Sequence, residues 1–354
     1  MIDPASLVRP RALARGDRVA AVTLSWGGPG AFPHRYEAGV RQFEDAFGVT
    51  VVPMPHATAD PDWLAANPRA RVDDLHLAFS DPEIDGIVST IGGDDSIRLL
   101  PLLDLGTIRQ HPKVFLGSSD TTVTLMACLR AGLVSFYGPS IMAGFGENGG
   151  ILPYMAEGVR RSIFEPEVEL LWPENADGWT NEFLDWANPE DQDRPRGRLP
   201  SAGWRWLGGS APVEGPLVVG CLEVIDWLRG TAWWPDLDGA ILALETSEEQ
   251  PPPHVVSRFF RCIAASGDLE RLAAILFGRP GGSELDPADH ERYDEAIVAV
   301  VRREQGLDHI PIVTGMDFGH TDPAWTLPIG ALARVDPSAR TVHNLGPAVA
   351  RAVR

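Results

Sequence analysis

Hydrophobic and polar positions alternate in two ways along roughly the first 140 residues, which predicts strands and helices in turn. Apolar runs rich in β-branched residues lie at 19–24, 49–54, 86–92, 113–117 and 133–138. Amphipathic stretches with helical spacing separate them, at 34–47, 69–80, 96–103 and 121–132. Apolar strands separated by amphipathic helices are typical of a parallel sheet covered on both faces. Active sites of such sheets gather at the carboxyl ends of the strands.

The pattern breaks between positions 165 and 212, where Pro, Gly, Asp and Trp replace regular periodicity. Five tryptophans fall here: Trp172, Trp179, Trp186, Trp204 and Trp206. A connection of this length is usually functional or disordered, and its aromatic residues favour an ordered loop that faces a ligand. Strand patterns return at 215–220, 240–245, 272–278, 311–316 and 330–335, and helical patterns at 221–230, 255–266 and 291–306. The second half is therefore predicted to be mixed α/β with its own core.

Three segments follow from this pattern. We predict an N-terminal α/β domain over residues 1–165, a Trp-rich substrate loop or linker over 166–212, and a C-terminal domain over 213–354. The length of 354 residues suits two domains of ordinary size.

Charge and composition argue against several classes of binding partner. A net charge of −19 argues against binding a nucleic-acid backbone, which requires concentrated Lys and Arg. No stretch approaches the roughly 18 apolar residues of a membrane-spanning helix, and the short run at 19–24 reads as a first buried strand rather than a signal peptide. We expect a cytoplasmic protein with no membrane partner. The cysteines at 128, 221 and 262 are too widely spaced for a zinc motif, so we expect no metal, no cofactor and no disulfide framework.

The sharpest local feature is the apolar strand that runs into Gly117, Ser118, Ser119, Asp120 and Thr121. A serine at a strand-to-helix junction sits on a tight turn with its hydroxyl exposed, beside N–H groups that can hold an oxyanion. The closing glycine of the usual G-x-S-x-G elbow is absent, since Thr121 stands there. Helix capping by these hydroxyls is the rival interpretation. The sequence alone does not choose between the two serines.

A second loop, Gly92-Gly93-Asp94-Asp95-Ser96, also follows an apolar strand and opens a helix. Paired glycines allow a backbone N–H to approach a reacting carbonyl, so Gly93 is a candidate oxyanion donor together with Asp120. A P-loop is disfavoured because the G-K-[ST] ending is absent. A simple turn capped by Asp94 or Asp95 is the alternative.

Two further residues complete a possible triad. His320 follows an apolar strand in a loop with glycine and proline on both sides, and Glu245 ends the strand 240–245. Alone, His320 can be structural and Glu245 can be an ordinary solvated strand end. Together, the order Ser119, Glu245, His320 matches the Ser…Asp/Glu…His order of elbow-type hydrolases. In that arrangement the glutamate fixes the imidazole tautomer and the imidazole takes the serine proton.

At these residues the chain resembles the serine peptidase family that holds the LD-carboxypeptidases and the microcin C immunity peptidases. The resemblance runs through nearly the whole chain, in the blocks IGGDDSIRLLPLLD, GSSDTT, SFYGPSIMAGFGE, WTNEFLDW, WWPDLDGAILALE and GHTDP. It implies an N-terminal flavodoxin-like parallel-sheet domain, a C-terminal mixed α/β domain with a β-rich core, a site between them, and a homodimer. The implied nucleophile is Ser119, with Glu245 and His320 as its partners.

The GGDDS block and the Trp-rich loop resemble the immunity branch, whose members cut the amide between an aminoacyl group and a nucleotide-like moiety. This branch implies that Trp186 stacks on the base, and we predict Gly92, Asp94 and Glu223 as further substrate-binding residues. The rival interpretation is that Trp179 and Trp186 pin the loop to its own domain. Immunity peptidases typically carry G-G-N-L-N where this chain has Val-Gly-Cys-Leu-Glu at 219–223, so both asparagines are missing.

We therefore expect a serine carboxypeptidase or amidase that acts through an acyl-enzyme on a small peptide or aminoacyl-nucleotide substrate. The first alternative is a murein LD-carboxypeptidase of cell-wall recycling. A different class of alternative is a non-catalytic binding protein of the same fold.

Overall fold

The computed structural model describes residues 1–351. The predicted C-terminal domain includes positions 352–354, which lie outside the described residues. Within 1–351 the chain forms fourteen strands and ten α-helices. The strands are β1 (Arg18–Val22), β2 (Thr50–Pro53), β3 (Gly86–Ser89), β4 (Val114–Gly117), β5 (Ser135–Tyr137), β6 (Glu169–Leu171), β7 (Arg205–Gly208), β8 (Val213–Cys221), β9 (Ile241–Glu245), β10 (Ala274–Gly278), β11 (Ile312–Met316), β12 (Leu327–Ile329), β13 (Leu332–Asp336) and β14 (Thr341–Leu345).

The helices fall largely where the helical spacing predicted them. They are α1 (Gly28–Ala31), α2 (Pro33–Phe47), α3 (Pro61–Ala66), α4 (Pro68–Ser80), α5 (Leu105–Gln110), α6 (Thr122–Ala131), α7 (Pro153–Val159), α8 (Leu222–Asp226), α9 (Pro253–Ala265) and α10 (His290–Val298). The predicted helix at 96–103 is a 3₁₀ segment, Ser96–Leu102, which contains Pro101. The predicted helix at 291–306 is α10 continued by a π-helical segment, Ala299–Glu304.

The first sheet has the order β2-β1-β3-β4-β5-β12. Strands β1 to β5 pair in parallel, in the 2-1-3-4-5 order of flavodoxin-like folds. The last strand, β12, pairs antiparallel with β5 and comes from the C-terminal half of the chain. The flavodoxin-like prediction is confirmed, with one strand added at its edge.

The second sheet has the order β6-β14-β13-β8-β9-β10-β11-β7. Its centre, β8 to β11, is parallel, and the strands on both sides of this centre pair antiparallel. This mixed sheet, with α9 and α10 in the same half of the chain, confirms the predicted mixed α/β class with a β-rich core.

The two halves share the larger of two hydrophobic clusters that the described residues form. Helix α6 is buried along its length except at Arg130, and it lies against the end of β8, where the Cys221 N–H donates to Thr122 Oγ1 at 3.2 Å. Buried apolar side chains of both halves form one continuous cluster around this contact. The expectation of a separate second core is therefore wrong, because the helix that follows the serine elbow is apolar on every face and needs cover from both sheets.

The segment 166–212 is ordered and tied to both halves. It contains β6 and β7 at the two edges of the second sheet. Thr180 forms an antiparallel bridge with Asp322, with N–H to carbonyl distances of 2.7 and 3.0 Å. Among the described residues, no helix is both long enough and apolar enough to cross a membrane.

Candidate functional site

The serine elbow lies at the carboxyl end of β4. Ser119 has a φ of 57°, in the left-handed region that costs a non-glycine residue about 1–3 kcal/mol. Ser118 is extended, with a φ of −139°, and its carbonyl accepts the Thr121 N–H at 3.0 Å. The backbone strain that marks a nucleophile elbow therefore falls on Ser119 and not on Ser118.

The glycine loop after β3 packs directly against this elbow. A Cβ on Gly92 would lie 2.8 Å from Ser119 Oγ and 3.4 Å from the Asp120 backbone nitrogen. Gly93 has a φ of 144°, and a Cβ there would lie 2.3 Å from Ser25 Oγ. Only glycine fits at these two positions, because any side chain would displace the serine or its neighbours. The structure thus brings Gly92 and Asp120 beside the Ser119 hydroxyl.

The Asp120 side chain holds the two loops together. Its carboxylate is fully buried and accepts the N–H groups of Asp95 at 3.0 Å and Ser96 at 2.9 Å. Asp95 in turn pairs with the buried guanidinium of Arg71 at 2.8 Å. Neither predicted aspartate caps the Ser96–Leu102 segment with its side chain, and Asp94 is exposed. Asp120 therefore connects the loops that follow β3 and β4, and the alternative of a helix capped by Asp94 or Asp95 is wrong.

Tyr137, at the end of β5, was missed by the sequence reasoning. Its hydroxyl accepts the Ser119 N–H at 3.0 Å and donates to Glu245 Oε1 at 2.5 Å. Burial, with the Glu245 charge, raises the pKa of Tyr137 well above its usual value, so it stays a donor. The position of a tyrosine at the carboxyl end of a parallel strand was the available signal.

Glu245 and His320 form a tight pair. Glu245 is fully buried at the end of β9, and its Oε2 lies 2.6 Å from His320 Nδ1. Gly319, with a φ of 104°, permits this approach, because a Cβ there would lie 2.6 Å from Glu245 Oε2. His320 Nε2 lies 3.1 Å from the exposed Glu248 carboxylate. Within residues 1–351 no hydrogen bond joins Ser119 Oγ to His320, although both contact the Tyr137–Glu245 pair.

These carboxylates set the protonation of His320. Burial by itself lowers the pKa of the imidazole, but the charge and hydrogen bond of Glu245, with the charges of Glu248 and Glu223, raise the pKa of His320 to about 10. A histidine that acts as a base must be deprotonated. Activity that depends on this base is therefore expected to rise with pH through neutrality towards that value.

We expect Glu248→Gln to move the acid limb of the kcat/KM profile to lower pH. The substitution removes a negative charge from His320 Nε2, which lowers the pKa of the imidazole and frees the base at lower pH. Each unit of movement raises kcat/KM below the limb about tenfold. The measurement is a pH profile beside Glu249→Gln, an exposed neighbour that does not pair with His320. An acid limb that is the same in both variants contradicts the assignment.

Trp186 lies in an aromatic group next to the glycine loop. Its ring stacks on Trp26 with centroids 6.4 Å apart, meets Phe32 edge-on at 6.2 Å, and has the Arg35 guanidinium 4.8 Å from its centroid. Trp26 joins this group to the glycine loop, since its backbone N–H donates to the Gly92 carbonyl at 3.1 Å. Trp186 is half-buried. Trp26 is a second candidate platform that the sequence reasoning did not select.

Arg196 anchors the Trp-rich segment to both halves. Its Nε donates to Glu147 Oε1 at 2.8 Å, and its Nη2 donates to Asp322 Oδ2 at 2.5 Å. Asp322 lies two residues beyond His320. Trp179 is buried with the Arg279 guanidinium 4.6 Å from its ring centroid, so it packs the segment against the C-terminal half.

Cys221 and Glu223 lie at the same end of the second sheet. The Glu223 carboxylate accepts the Ser247 N–H at 3.0 Å and the Ser247 hydroxyl at 2.6 Å, and it lies 3.5 Å from Cys221 Sγ. Burial raises the pKa of Glu223. Donor atoms of Cys221, Glu245 and His320 lie within 4.8 Å of one another, close enough to be considered as metal ligands.

Two family models match the chain. The LD-carboxypeptidase N-terminal domain matches residues 19–138, and the LD-carboxypeptidase C-terminal domain matches residues 214–335. The microcin C7 self-immunity protein MccF of Escherichia coli is 28% identical over 326 residues, which is 92% of this chain and 92% of that protein.

Solved structures agree in fold. An MccF-like protein from Streptococcus pneumoniae in complex with AMP has a TM-score of 0.82 and 30% identity, covering 92% of this chain and 98% of that chain. Microcin C7 self-immunity protein MccF in complex with aspartyl sulfamoyl adenosine has a TM-score of 0.84 and 25% identity, covering 97% of this chain and 100% of that chain. These similarities extend over both halves of the molecule and the segment between them.

Proposed function

The chain belongs to the LD-carboxypeptidase family and is a hydrolase, and from this premise we propose that it cleaves an amide through a serine acyl-enzyme. Ser119 attacks the carbonyl, and His320, oriented by Glu245, takes the serine proton and passes it to the leaving nitrogen. The backbone N–H groups of Gly93 and Asp120 stabilise the oxyanion. The Ser119 N–H is not a donor in this scheme, because Tyr137 accepts it.

One observation carries the proposal: hydrogen bonds run from the Ser119 backbone through Tyr137 to Glu245 and on to His320. They connect three strand ends and place the strained serine and the histidine around one buried carboxylate. Catalytic hydrogen bonds often close only in the substrate complex. Substrate entry would displace the exposed Glu248 carboxylate and leave Nε2 free to face Ser119.

The substrate we propose is an aminoacyl- or peptidyl-nucleotide amide, as in self-immunity or detoxification. It is supported by the similar proteins that bind AMP and aspartyl sulfamoyl adenosine, and by the Trp26–Trp186 pair beside the glycine loop. Aromatic rings stack on nucleobases with about 1–3 kcal/mol per base. Gly92 and Asp94 would contact the acyl part, since their loop borders Ser119.

A murein LD-carboxypeptidase is the second candidate, favoured by Glu223. This carboxylate lies beside Cys221 at the catalytic end of β8 and β9 and would repel a phosphate. A murein tetrapeptide carries no phosphate and offers an amine that Glu223 could bind.

The test incubates the purified protein with an aminoacyl-sulfamoyl adenosine and with a murein tetrapeptide, and identifies products by mass spectrometry. Release of sulfamoyl adenosine is the expected result, and Ser119→Ala should slow it at least about 10⁴-fold. Release of D-alanine alone would replace the first proposal with the second. Binding of either compound without cleavage would overturn the enzymatic assignment for these substrates in favour of a binding protein.

We expect Trp186→Ala to raise KM for the nucleotide substrate about 5- to 100-fold with kcat nearly unchanged, because it removes stacking and not chemistry. The control is Phe183→Ala, which removes an exposed aromatic ring from the same segment. Steady-state kinetics on both substrates provide the measurement. An equal rise in KM for the murein peptide would show loss of loop structure rather than of base stacking.

A homodimer and a cytoplasmic location complete the proposal, by analogy with the family. Sedimentation of the purified protein tests the first, and fractionation of the source cells tests the second.

A further inference from the structure

Cys221 lies beside the catalytic pair, although nothing in the proposed reaction uses a thiol. It ends β8 and is in register with Glu245 at the end of the parallel strand β9. Residues in register on adjacent parallel strands are neighbours, so the Sγ atom and the Glu245 carboxylate lie side by side. The loop after β11 adds the His320 imidazole, and the three donor atoms lie within 4.8 Å of one another.

Two more carboxylates border the same group. Glu223 Oε2 lies 3.5 Å from Cys221 Sγ, and Glu248 Oε2 lies 3.1 Å from His320 Nε2. Within residues 1–351 no Lys or Arg forms an ion pair with Glu223, Glu245 or Glu248; the only cationic partner in their ion pairs is His320. Two carboxylates therefore contact the imidazole and a third borders the thiol, and a cation bound between them would gain their charge.

The donor types select among cations. Thiolate and imidazole favour Zn²⁺ over Mg²⁺ or Ca²⁺, which prefer oxygen ligands only. Zn²⁺ bonds of about 2.0–2.3 Å place tetrahedral donors roughly 3.3–3.8 Å apart. The present group is close to that size, so side-chain rotations of about an ångström would close it. Glu223 or a water molecule can supply the fourth ligand.

We infer that Cys221, Glu245 and His320 form an inhibitory Zn²⁺ site within the active site. On binding, the S–H bond of Cys221 and the Nδ1–H bond of the protonated His320 break, Zn–S and Zn–N bonds form, and both protons leave to solvent. The freed lone pair of His320 Nδ1 and a Glu245 oxygen bind the metal, and His320 Nε2 keeps its proton. His320 can then neither accept the serine proton nor keep its bond to Glu245, so hydrolysis stops until the metal is removed. The inhibition rests on the proposed function; the binding does not.

The first test measures hydrolysis against added ZnCl₂ in metal-free buffer, with each variant compared to its own zinc-free rate. We expect the wild-type protein to be inhibited and EDTA to restore its activity. Inhibition of the Cys221→Ser variant should require at least about 100-fold more zinc than inhibition of the wild type, because the variant lacks a metal ligand. Cys262→Ser, which changes a cysteine on α9 far along the chain from the site, should match wild type. Equal zinc sensitivity of Cys221→Ser and wild type would overturn the site.

The second test needs no catalytic activity. Co²⁺ is added to the Ser119→Ala protein, and the near-ultraviolet thiolate-to-cobalt absorption band is recorded. One equivalent should bind with this band, and the band should disappear when Cys221→Ser is added to the Ser119→Ala background. Absence of the band overturns the metal site even if the protein hydrolyses its substrate. Its presence in a protein that cleaves neither substrate retains the site while the proposed function fails.

Discussion

Ser119→Ala is expected to lower kcat about 10⁴- to 10⁶-fold, because it removes the atom that forms the acyl-enzyme. The residual rate would come from the oxyanion donors and substrate binding. KM should change little, since the Ser119 N–H bond to Tyr137 and the position of the loop do not depend on the hydroxyl. Steady-state kinetics with the nucleotide substrate measure both quantities.

Ser118→Ala is the matched control. This neighbour has the same side chain, is similarly half-buried, and occupies an extended backbone position without a side-chain capping bond. Its substitution should leave kcat within a few-fold of wild type. If the two variants lose activity in the reverse order, the strained backbone of Ser119 does not mark the nucleophile.

The positions of the main site residues could be predicted from the sequence, because these residues lie at the ends of strands. Ser119 follows β4, the glycine loop follows β3, and Glu245 ends β9. Each of these strands is a continuous apolar run that periodicity detects, and parallel strands direct their carboxyl ends to one edge. The resemblance to a family then separated Ser119 from Ser118, which periodicity could not do.

The contacts that connect the motifs could not be predicted, since each depends on tertiary packing. Tyr137 reads as one more apolar strand residue, and its role is visible only once β5 lies beside β4. Strand β12 contains three residues including Pro328, too short for a periodic signal, and it is defined by its pairing with β5. Arg196 lies in an irregular segment, and its carboxylate partners are 49 and 126 positions away.

The contact of Glu248 with the proposed catalytic histidine could not be predicted from the sequence either. It follows the predicted strand in a loop where Gln250 adopts a φ of 56°, and from this loop its carboxylate reaches His320 Nε2. The sequence has seven acidic residues between positions 223 and 249 and does not show that two of them, Glu245 and Glu248, contact one imidazole. The charge that both raises the pKa of His320 and favours a cation is therefore a property of the folded chain.

Glu245→Gln is expected to lower kcat about 10³- to 10⁴-fold with KM little changed. Its carboxylate accepts bonds from two donors, the Tyr137 hydroxyl and His320 Nδ1. An amide has one acceptor oxygen and one NH₂ group, so one of the two donors must face an NH₂. If the NH₂ faces His320, Nδ1 becomes the acceptor, and Nε2 then carries the proton and cannot take one from Ser119.

If the NH₂ faces Tyr137 instead, the tautomer is kept but the imidazolium loses its counter-charge when it forms. Both orientations therefore slow the reaction, which distinguishes Glu245 from an ordinary solvated strand end. The control is Glu249→Gln, the same change at an exposed carboxyl four residues later. Thermal unfolding of both variants separates a catalytic loss from a folding defect, since burial of the neutral amide need not destabilise the fold. A folded Glu245→Gln protein with activity within tenfold of wild type would remove Glu245 from the triad and leave His320 to be oriented by another group.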